Sequence, residues 1–215
     1  MSDIISLSFN PFQENTYIIY DDSKECIIID PGCYAPHERA FLKNEIEKLN
    51  LNPVRLINTH CHLDHIFGNA FITRTYHLEL EIHEGEIPVL EAFLPSCQKY
   101  GISNIEASPM PGKFIAAGDI IKFGQTELSV LFTPGHSPAS ICLYDAKSNF
   151  VIAGDVLFRE GIGRTDLPGG DYNTLINSIK TTLYNLPDTT VVYPGHGPHT
   201  TIGHEKVNNP FINAQ

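Results

Sequence analysis

A short segment rich in metal-binding side chains constrains this chain more than any other feature. Residues 59–65 read T-H-C-H-L-D-H, directly after an apolar run that is typical of a strand. In an extended chain, side chains at positions i and i+2 point the same way, so His60 and His62 can offer ring nitrogens to one ion. Asp64 and His65 follow at the predicted start of a helix, where the turning chain aims its side chains at a different point. The segment therefore favours two metal ions over one.

Three further metal-binding side chains follow three later apolar runs. The runs 128–132, 150–153 and 190–193 each stop at Gly or Pro-Gly and then present one such side chain, respectively His136, Asp155 and His196. A site that is built on several strand ends at a sheet edge requires this pattern. The candidate metal ligands are therefore His60, His62, Asp64, His65, His136, Asp155 and His196.

The order of these ligands resembles the metallo-β-lactamase superfamily, in which H-x-H-x-D-H is followed by a later His, a later Asp and a final His. Other strings resemble its short, single-domain glyoxalase II-like (hydroxyacylglutathione hydrolase-like) branch. They are G-D-V-L-F at 154–158, G-R-T-D-L-P-G-G-D at 163–171, Y-P-G-H-G at 193–197 and E-x-x-x-N-P-F at 205–211. The resemblance covers nearly the full length of the chain.

The resemblance implies a fold and a ligand set. The fold class is α/β, a four-layer αββα sandwich of two mixed sheets flanked by helices, in a single domain over residues 1–215. Periodicity alone predicts only α/β. The implied cofactors are two divalent ions, zinc first, with iron or manganese as alternatives because His and carboxylate ligands accept all three. The first ion would be held by His60, His62 and His136, the second by Asp64, His65 and His196, with Asp155 as the bridge.

Two adjacent cations predict hydrolytic chemistry. A bridging water loses its proton near neutral pH and attacks, while an ion polarises the acyl oxygen. Asp64 and Asp155 are the predicted catalytic residues, and Asp64 has the further role of orienting the nucleophile and taking its proton. A thiolate leaves without strong acid assistance. The predicted enzyme is a binuclear metallohydrolase of thioesters such as S-lactoylglutathione.

Other functions remain open at the level of sequence. Persulfide dioxygenases share this scaffold and motif order but use one Fe(II) held by two His and one Asp, a set that His60, His136 and Asp155 also offer. Hydrolysis of another ester or a lactone is a further alternative. A noncatalytic metal-binding module is disfavoured, because structural zinc sites are usually closed by four ligands. Zinc β-lactamases commonly carry Cys where this chain has Asp155, which argues against β-lactam hydrolysis.

Two residues near the ligands have competing interpretations. Arg164 lies where glyoxalase II-like enzymes place a cation for the anionic end of the substrate, and a guanidinium suits a carboxylate. The alternative interpretation is that the Arg164 side chain forms a structural salt bridge within the protein. Cys61 stands between two ligands, but extended geometry turns it away from the site, so a packing role is predicted.

The net charge and the metal centre that the resemblance implies together predict an enzyme acting on a small, anionic molecule, with the cytoplasm as its default location. The net charge of −11 disfavours nucleic acid as a partner, and no apolar run reaches the length of a membrane span. The chain starts without a basic stretch before an apolar one, so no secretory signal is predicted. Two divalent ions less Asp64, Asp155 and a hydroxide leave the site about one unit positive. The five scattered cysteines are predicted to be reduced.

Strands and helices are predicted to alternate along the chain. Strands are predicted at 14–20, 26–29, 54–58, 80–83, 141–144, 149–153 and 190–193, with a further hairpin over 113–130 that turns at F-G-Q-T (residues 123–126). Helices are predicted at 36–49, 66–76, 86–93 and 172–184, and a loop at 95–113.

Overall fold

Two six-stranded mixed sheets organise the residues that the computed structural model describes, 1–213. Each sheet lies largely in its own compact unit of the chain. The first unit comprises residues 1–115 and 122–127, and the second comprises residues 116–121 and those from 128 onward. The predicted α/β class with two mixed sheets and accompanying helices is confirmed. The single domain over 1–215 stays a prediction, and residues 214–215 lie outside the described chain.

The sheet of the first unit has the strand order β1-β2-β3-β4-β5-β6. Its first three strands are antiparallel, and the remaining pairs are parallel. The strands are β1 (Asp3–Phe9), β2 (Glu14–Tyr20), β3 (Glu25–Ile29), β4 (Asn52–Ile57), β5 (Leu80–Ile82) and β6 (Lys113–Phe114). The helices are α1 (Pro36–Lys48), α2 (Leu63–Ile66), α3 (Asn69–Tyr76), α4 (Ile87–Glu91) and α5 (Phe93–Lys99), with a 3₁₀ turn at Glu84–Glu86.

The first unit folds around its central strands. Strand β3 is a run of isoleucines that is buried along nearly its whole length, as expected of a strand covered on both faces. Helix α1 begins where Pro36 occupies its first turn and the Glu38 carboxylate accepts a hydrogen bond from the Ala35 N–H (2.8 Å). Its side chains Leu42 and Ile46 join the core of this unit.

The sheet of the second unit has the order β14-β13-β10-β9-β8-β7, with β10 parallel to β13 and the other registered pairs antiparallel. The strands are β7 (Ile120–Phe123), β8 (Thr126–Phe132), β9 (Ile141–Asp145), β10 (Phe150–Gly154), β13 (Val191–Pro194) and β14 (Thr200–Thr201); β11 (Leu157–Phe158) and β12 (Gly161–Ile162) form a separate hairpin. The helices are α6 (Tyr172–Thr181), α7 (Ile202–Asn208) and α8 (Pro210–Asn213), with a 3₁₀ turn at Leu183–Asn185.

The direction of three strands explains where the ligand-bearing loops of the second unit begin. Strand β8 is antiparallel to β9, and β9 is antiparallel to β10, so β8, β10 and β13 all run the same way. Their carboxyl ends therefore share one edge of the sheet. His136, Asp155 and His196 each follow one of these ends.

The predicted turn at 123–126 is confirmed, since β7 ends at Phe123 and β8 begins at Thr126. The hairpin itself begins at Ile120 and not at 113, because Lys113–Phe114 form β6 and pair with β5 in the other sheet. The carboxylate of Asp21 holds this turn: it accepts hydrogen bonds from the Gln125 N–H (2.6 Å) and the Thr126 hydroxyl (2.8 Å). Burial opposes ionisation of Asp21, but these bonds and those from Ser23 outweigh it and lower the pKa of the carboxyl to about 2. Asp21 therefore stays ionised at neutral pH and keeps the turn in place.

The structure corrects two predicted elements and adds a strand that was not predicted. The predicted helix 66–76 is interrupted after Ile66, because the Gly68 N–H donates to the Pro31 carbonyl (2.7 Å) at the start of α3. The predicted loop 95–113 is helical at its start, since Pro95 lies in the first turn of α5, where a missing N–H costs nothing. Strand β1 was not predicted, because only Leu7 and Phe9 of its residues are buried and its apolar pattern is weak.

All five cysteines are buried and free, in line with the predicted reduced state. Among residues 1–213 there is no helix with the length and apolar character that a membrane crossing needs.

Candidate metal centre

The first unit brings four of the predicted ligands together after strand β4. The ring centroids of His60 and His62 lie 4.9 Å apart, and those of His60 and His65 lie 4.1 Å apart. The Asp64 Oδ2 lies 3.9 Å from the His65 Nε2. His60 and His65 are buried, whereas His62 and Asp64 are partly exposed. This loop therefore presents a compact set of imidazoles and one carboxylate.

Hydrogen bonds fix which nitrogen of each buried ring carries the lone pair. The Thr59 hydroxyl donates to the Asp30 Oδ2 (2.5 Å), so its oxygen is left to accept from the His60 Nδ1–H, which lies 3.1 Å away. The His65 Nδ1 lies 3.1 Å from the same Asp30 oxygen and donates to it. Both rings are thereby set with Nε2 as the donor atom for a cation, and a carboxylate behind a ligating histidine is the usual arrangement at metal sites.

Asp30 is the central support of this loop, although its only mark in the sequence is its position directly after the predicted strand 26–29. Its carboxylate is buried and also accepts hydrogen bonds from the Thr59 N–H (2.7 Å) and the Asn58 side chain (3.3 Å). One ligand atom each of Asp30, His60 and His65 lies within 4.8 Å of the others. Because both Asp30 oxygens already accept hydrogen bonds, we interpret Asp30 as the residue that orients the ligands.

A second carboxylate missed by the sequence is Glu14, at the start of β2. It is fully buried, its Oε2 accepts from the Thr16 hydroxyl (2.9 Å), and its Oε1 lies 3.8 Å from the His65 Nδ1. Burial raises the pKa of the Glu14 carboxyl well above its usual value. Space here is tight: a Cβ on Gly32 would lie 2.0 Å from the Glu14 Oε2. The sequence carried no signal for Glu14, because it lies 51 positions before His65 in a strand of ordinary composition.

Cys61, which lies between His60 and His62 in the sequence, has a buried side chain. Burial raises the pKa of its thiol well above the usual value, so the side chain stays protonated and apolar. Its backbone N–H donates to the Glu86 carboxylate (2.9 Å), which is itself buried. The residue therefore anchors the backbone of the ligand loop, in agreement with the predicted packing role.

The second unit brings together the other three predicted ligands. The Asp155 Oδ2 lies 3.5 Å from the His136 Nε2 and 3.5 Å from the His196 Nε2. The His136 Nδ1 donates to the Arg164 carbonyl oxygen (2.7 Å), which again leaves Nε2 as the lone-pair nitrogen. One carboxylate oxygen thus lies near two imidazole nitrogens, and the three side chains form a second cluster of possible metal ligands.

The guanidinium of Arg164 forms an ion pair within its own loop. Its Nε and Nη2 donate to the two carboxylate oxygens of Asp166 at 2.7 and 2.6 Å. Both side chains are more than half exposed. The hydrogen bond from Arg164 lowers the pKa of the Asp166 carboxyl to about 2, so the pair is ionised at neutral pH. The salt bridge that was the alternative interpretation of Arg164 is present, and its role in substrate binding stays a prediction.

The donor chemistry of these residues fits divalent metal ions. In each unit imidazole Nε2 atoms stand beside carboxylate oxygens, the ligand types that zinc, iron and manganese accept in proteins. Three of the rings have their Nδ1 fixed by a protein oxygen, as ligating histidines do.

The sequence model of the metallo-beta-lactamase superfamily matches residues 9–196. The chain therefore belongs to the metallo-β-lactamase superfamily. Among its relatives, hydroxyacylglutathione hydrolase GloC of Haemophilus influenzae is 42% identical over 207 residues, which cover 95% of each chain. The probable metallo-hydrolase YqgX of Bacillus subtilis is 37% identical over 208 residues, 95% of this chain and 94% of the relative.

Solved structures confirm the predicted fold family. The BLEG-1 B3 metallo-beta-lactamase gives a TM-score of 0.90 at 35% identity and covers 98% of this chain and 100% of its own. The protein TTHA1623, solved in a di-iron-bound form, gives a TM-score of 0.86 at 34% identity and covers 96% of this chain and 99% of its own. The fold and the ligand clusters together define a metallo-hydrolase of this superfamily.

Proposed function

We propose that this protein is a binuclear metallohydrolase that cleaves thioesters of the S-lactoylglutathione kind. The observation that carries the proposal is the position of the Asp155 Oδ2, 3.5 Å from the Nε2 atoms of two histidines. We assign Asp155 as the bridge between two ions, as the family resemblance implies. The first ion is assigned to His60, His62 and His136, and the second to Asp64, His65 and His196.

The chain's own residues then have distinct tasks. Divalent ions bound there would lower the pKa of a water molecule and polarise the acyl oxygen of the substrate. We assign to the partly exposed carboxylate of Asp64 the task of orienting the attacking water and accepting its proton. Asp30 and Thr59 keep the His60 and His65 rings in the tautomer that binds a cation. No residue has to act as a strong acid, because a thiolate is a good leaving group.

Similarity supports this substrate class over its competitors. The relative from Haemophilus influenzae bears the name of a hydroxyacylglutathione hydrolase and is alike over 95% of both chains. The BLEG-1 neighbour bears the name of a B3 metallo-beta-lactamase, so β-lactam hydrolysis is the second candidate function. The di-iron form of TTHA1623 makes iron an alternative to zinc as the native metal.

We further propose that the substrate is a small anion and that the protein acts in the cytoplasm. A net charge of −11 opposes binding to the phosphate backbone of nucleic acid. A site with two divalent ions, Asp64, Asp155 and a hydroxide is about one unit positive and attracts an anion locally.

Metal analysis combined with substrate assays tests the proposed function. Protein purified without added metal is expected to contain about two ions per chain. It should hydrolyse S-lactoylglutathione faster than a chromogenic β-lactam, and removal of the metal by a chelator should abolish that activity until metal is restored. One iron per chain with oxygen uptake on glutathione persulfide would instead establish a dioxygenase. Preferred turnover of the β-lactam would establish the second candidate.

Removing the charge of Asp166 is expected to improve the binding of anionic substrates. Asp166→Asn releases the Arg164 guanidinium from its ion pair and removes a negative charge beside it. Exposed pairs of this kind are weak, so we expect KM for an anionic thioester to fall only about two- to fivefold with kcat unchanged. Steady-state kinetics measure both constants.

An uncharged thioester serves as the control substrate for Asp166→Asn, and its KM should not change. Arg164→Ala should raise KM for the anionic thioester alone, because the Arg164 carbonyl that holds His136 is part of the backbone and is retained. An unchanged KM for the anionic thioester in both variants would show that Arg164 has only a structural role.

A further inference from the structure

The hairpin β11–β12, residues 157–162, places an aromatic ring against one of the predicted metal ligands. The rings of Phe158 and His196 meet edge to face, with their centroids 6.2 Å apart and an interplanar angle of 82°. Contacts of this geometry between aromatic rings contribute about 0.5–1.5 kcal/mol beyond the area they bury. Phe158 therefore favours one orientation of the His196 ring.

A buried carboxylate fixes the turn of this hairpin. Glu205 in α7 is completely buried, and its Oε2 accepts from the Glu160 N–H (2.9 Å) and the Asn209 side chain (2.8 Å). Its Oε1 accepts from the Thr200 hydroxyl (2.6 Å). The Asn209 amide donates in addition to the Gly161 carbonyl (3.0 Å). Both sides of the hairpin turn are thus held by Glu205 in α7 and by Asn209, the residue directly after this helix.

These hydrogen bonds, which we call the Glu205–Asn209 clamp, give the E-x-x-x-N-P-F string a physical role. Its Glu and Asn are Glu205 and Asn209, four positions apart. Burying a carboxylate is costly unless hydrogen bonds compensate for the lost water, and here the donors come from three separate places in the chain. A fully bonded network of this kind holds the backbone of the hairpin, and with it Phe158, in one position.

The two histidines beside Asp155 differ in their exposure. The side chain of His136 is 3% exposed, whereas that of His196 is 27% exposed. Phe158 therefore packs against the more exposed of the two rings, where a neighbouring side chain limits how far the ring can turn.

We propose that Phe158 is a positioning residue for His196, and that the Glu205–Asn209 clamp keeps Phe158 in place for this task. This inference rests on the proposed function, since it takes His196 to be a ligand of the second ion. It predicts that loss of the Phe158 ring weakens the binding of one of the two ions and leaves the other unchanged.

Chelator titration of the zinc-loaded protein tests this role. In Phe158→Leu, one of two zinc ions should leave at a chelator concentration about tenfold lower than in the wild type, which is the range found for residues that orient ligands. Phe158→Tyr keeps the ring and should behave as the wild type. Asn209→Ala, which removes the donor to Gly161, should shift the same ion. The control is Phe211→Leu, at an exposed aromatic side chain of the same unit.

The histidine ring signals of the metal-free protein give a second readout. Long-range ¹H–¹⁵N spectra should show the ring ¹⁵N signals of His196 shifted in Phe158→Leu and unshifted in Phe158→Tyr, with the signals assigned by their absence in His196→Gln. A purely structural Phe158 would lower the melting temperature and change only the proton shifts of His196, through the lost ring current, with the ring ¹⁵N shifts unchanged.

The outcomes separate the inference from the function on which it rests. If the wild type holds two ions and Phe158→Leu releases both at the wild-type chelator concentration, the positioning role alone is overturned. A wild-type chain that takes up fewer than two ions overturns the binuclear function and the positioning role together. Release of both ions from Phe158→Leu at an equally reduced concentration also overturns the inference, because the effect is then not specific to His196.

Discussion

Replacing Asp155 with alanine is expected to reduce thioester turnover by at least about 10³-fold, the largest effect of any single ligand change. The Asp155 Oδ2 lies 3.5 Å from the Nε2 atoms of both His136 and His196, so its loss affects both ions that we assign to the site. It also removes the negative charge that offsets two cations. The metal content should fall below that of His62→Ala, which removes a ligand from one ion only. Elemental analysis and kcat measure these effects.

A matched control for Asp155→Ala is Asp188→Ala in the same unit. Asp188 is an exposed carboxylate that forms an ion pair with Lys206 (2.6 Å), so its removal changes the net charge equally without touching the ligands. Metal content and turnover of this variant should equal those of the wild type. Full turnover of Asp155→Ala with two ions retained would contradict the bridging role and the catalytic assignment with it.

The seven candidate ligands could be predicted because each lies in a short local pattern. Side chains two positions apart in an extended chain point the same way, which relates His60 to His62. Strands that end at Gly or Pro-Gly directly precede Asp155 and His196. The direction of β8, β10 and β13 then brings their loops to one edge of a sheet, as the pattern implied. Ligation itself stays a prediction until metal is measured.

The residues that support the ligands could not be predicted, because their contacts join distant parts of the chain. Asp30 accepts hydrogen bonds from Thr59, 29 positions away, and the clamp joins Glu160 to Glu205, 45 positions away. Glu14 lies in a strand whose sequence looks ordinary. A local pattern carries no signal for a partner that is set by sheet topology, so these residues appear only once the fold is known.

The helix boundaries show the same limit on a smaller scale. The apolar spacing of 66–76 predicted one continuous helix, but Gly68 approaches Pro31 closely and donates its N–H outside the helix. A Cβ at this glycine would lie 2.5 Å from the Cys33 Sγ. The spacing of apolar residues indicates which side chains face the core. It carries no information on whether a second segment of the chain comes close to the backbone.

Gly163→Ala is expected to lower turnover by about 10²-fold, although Gly163 contributes no side chain to the site. A Cβ at this position would lie 1.9 Å from the Asp155 carbonyl oxygen and 2.9 Å from the His136 Nδ1, so the loop or the two ligands must shift. A displacement of about 1 Å in a catalytic group is enough for a loss of this size. Overpacking should also cost about 1–3 kcal/mol of stability. Turnover, metal content and thermal unfolding should all be measured.

Gly161→Ala provides the matched control for this prediction, two positions away in the same loop. A Cβ there would meet only ordinary contacts, with the Phe158 Cβ at 3.5 Å as its nearest neighbour, and the carbonyl that accepts from Asn209 is retained. Both variants add one methyl group and restrict the backbone in the same way. A loss in Gly163→Ala that Gly161→Ala does not share therefore reports the displacement of Asp155 and His136. Equal turnover in the two variants would show that the Asp155 loop tolerates movement, which contradicts a bridging carboxylate with fixed geometry.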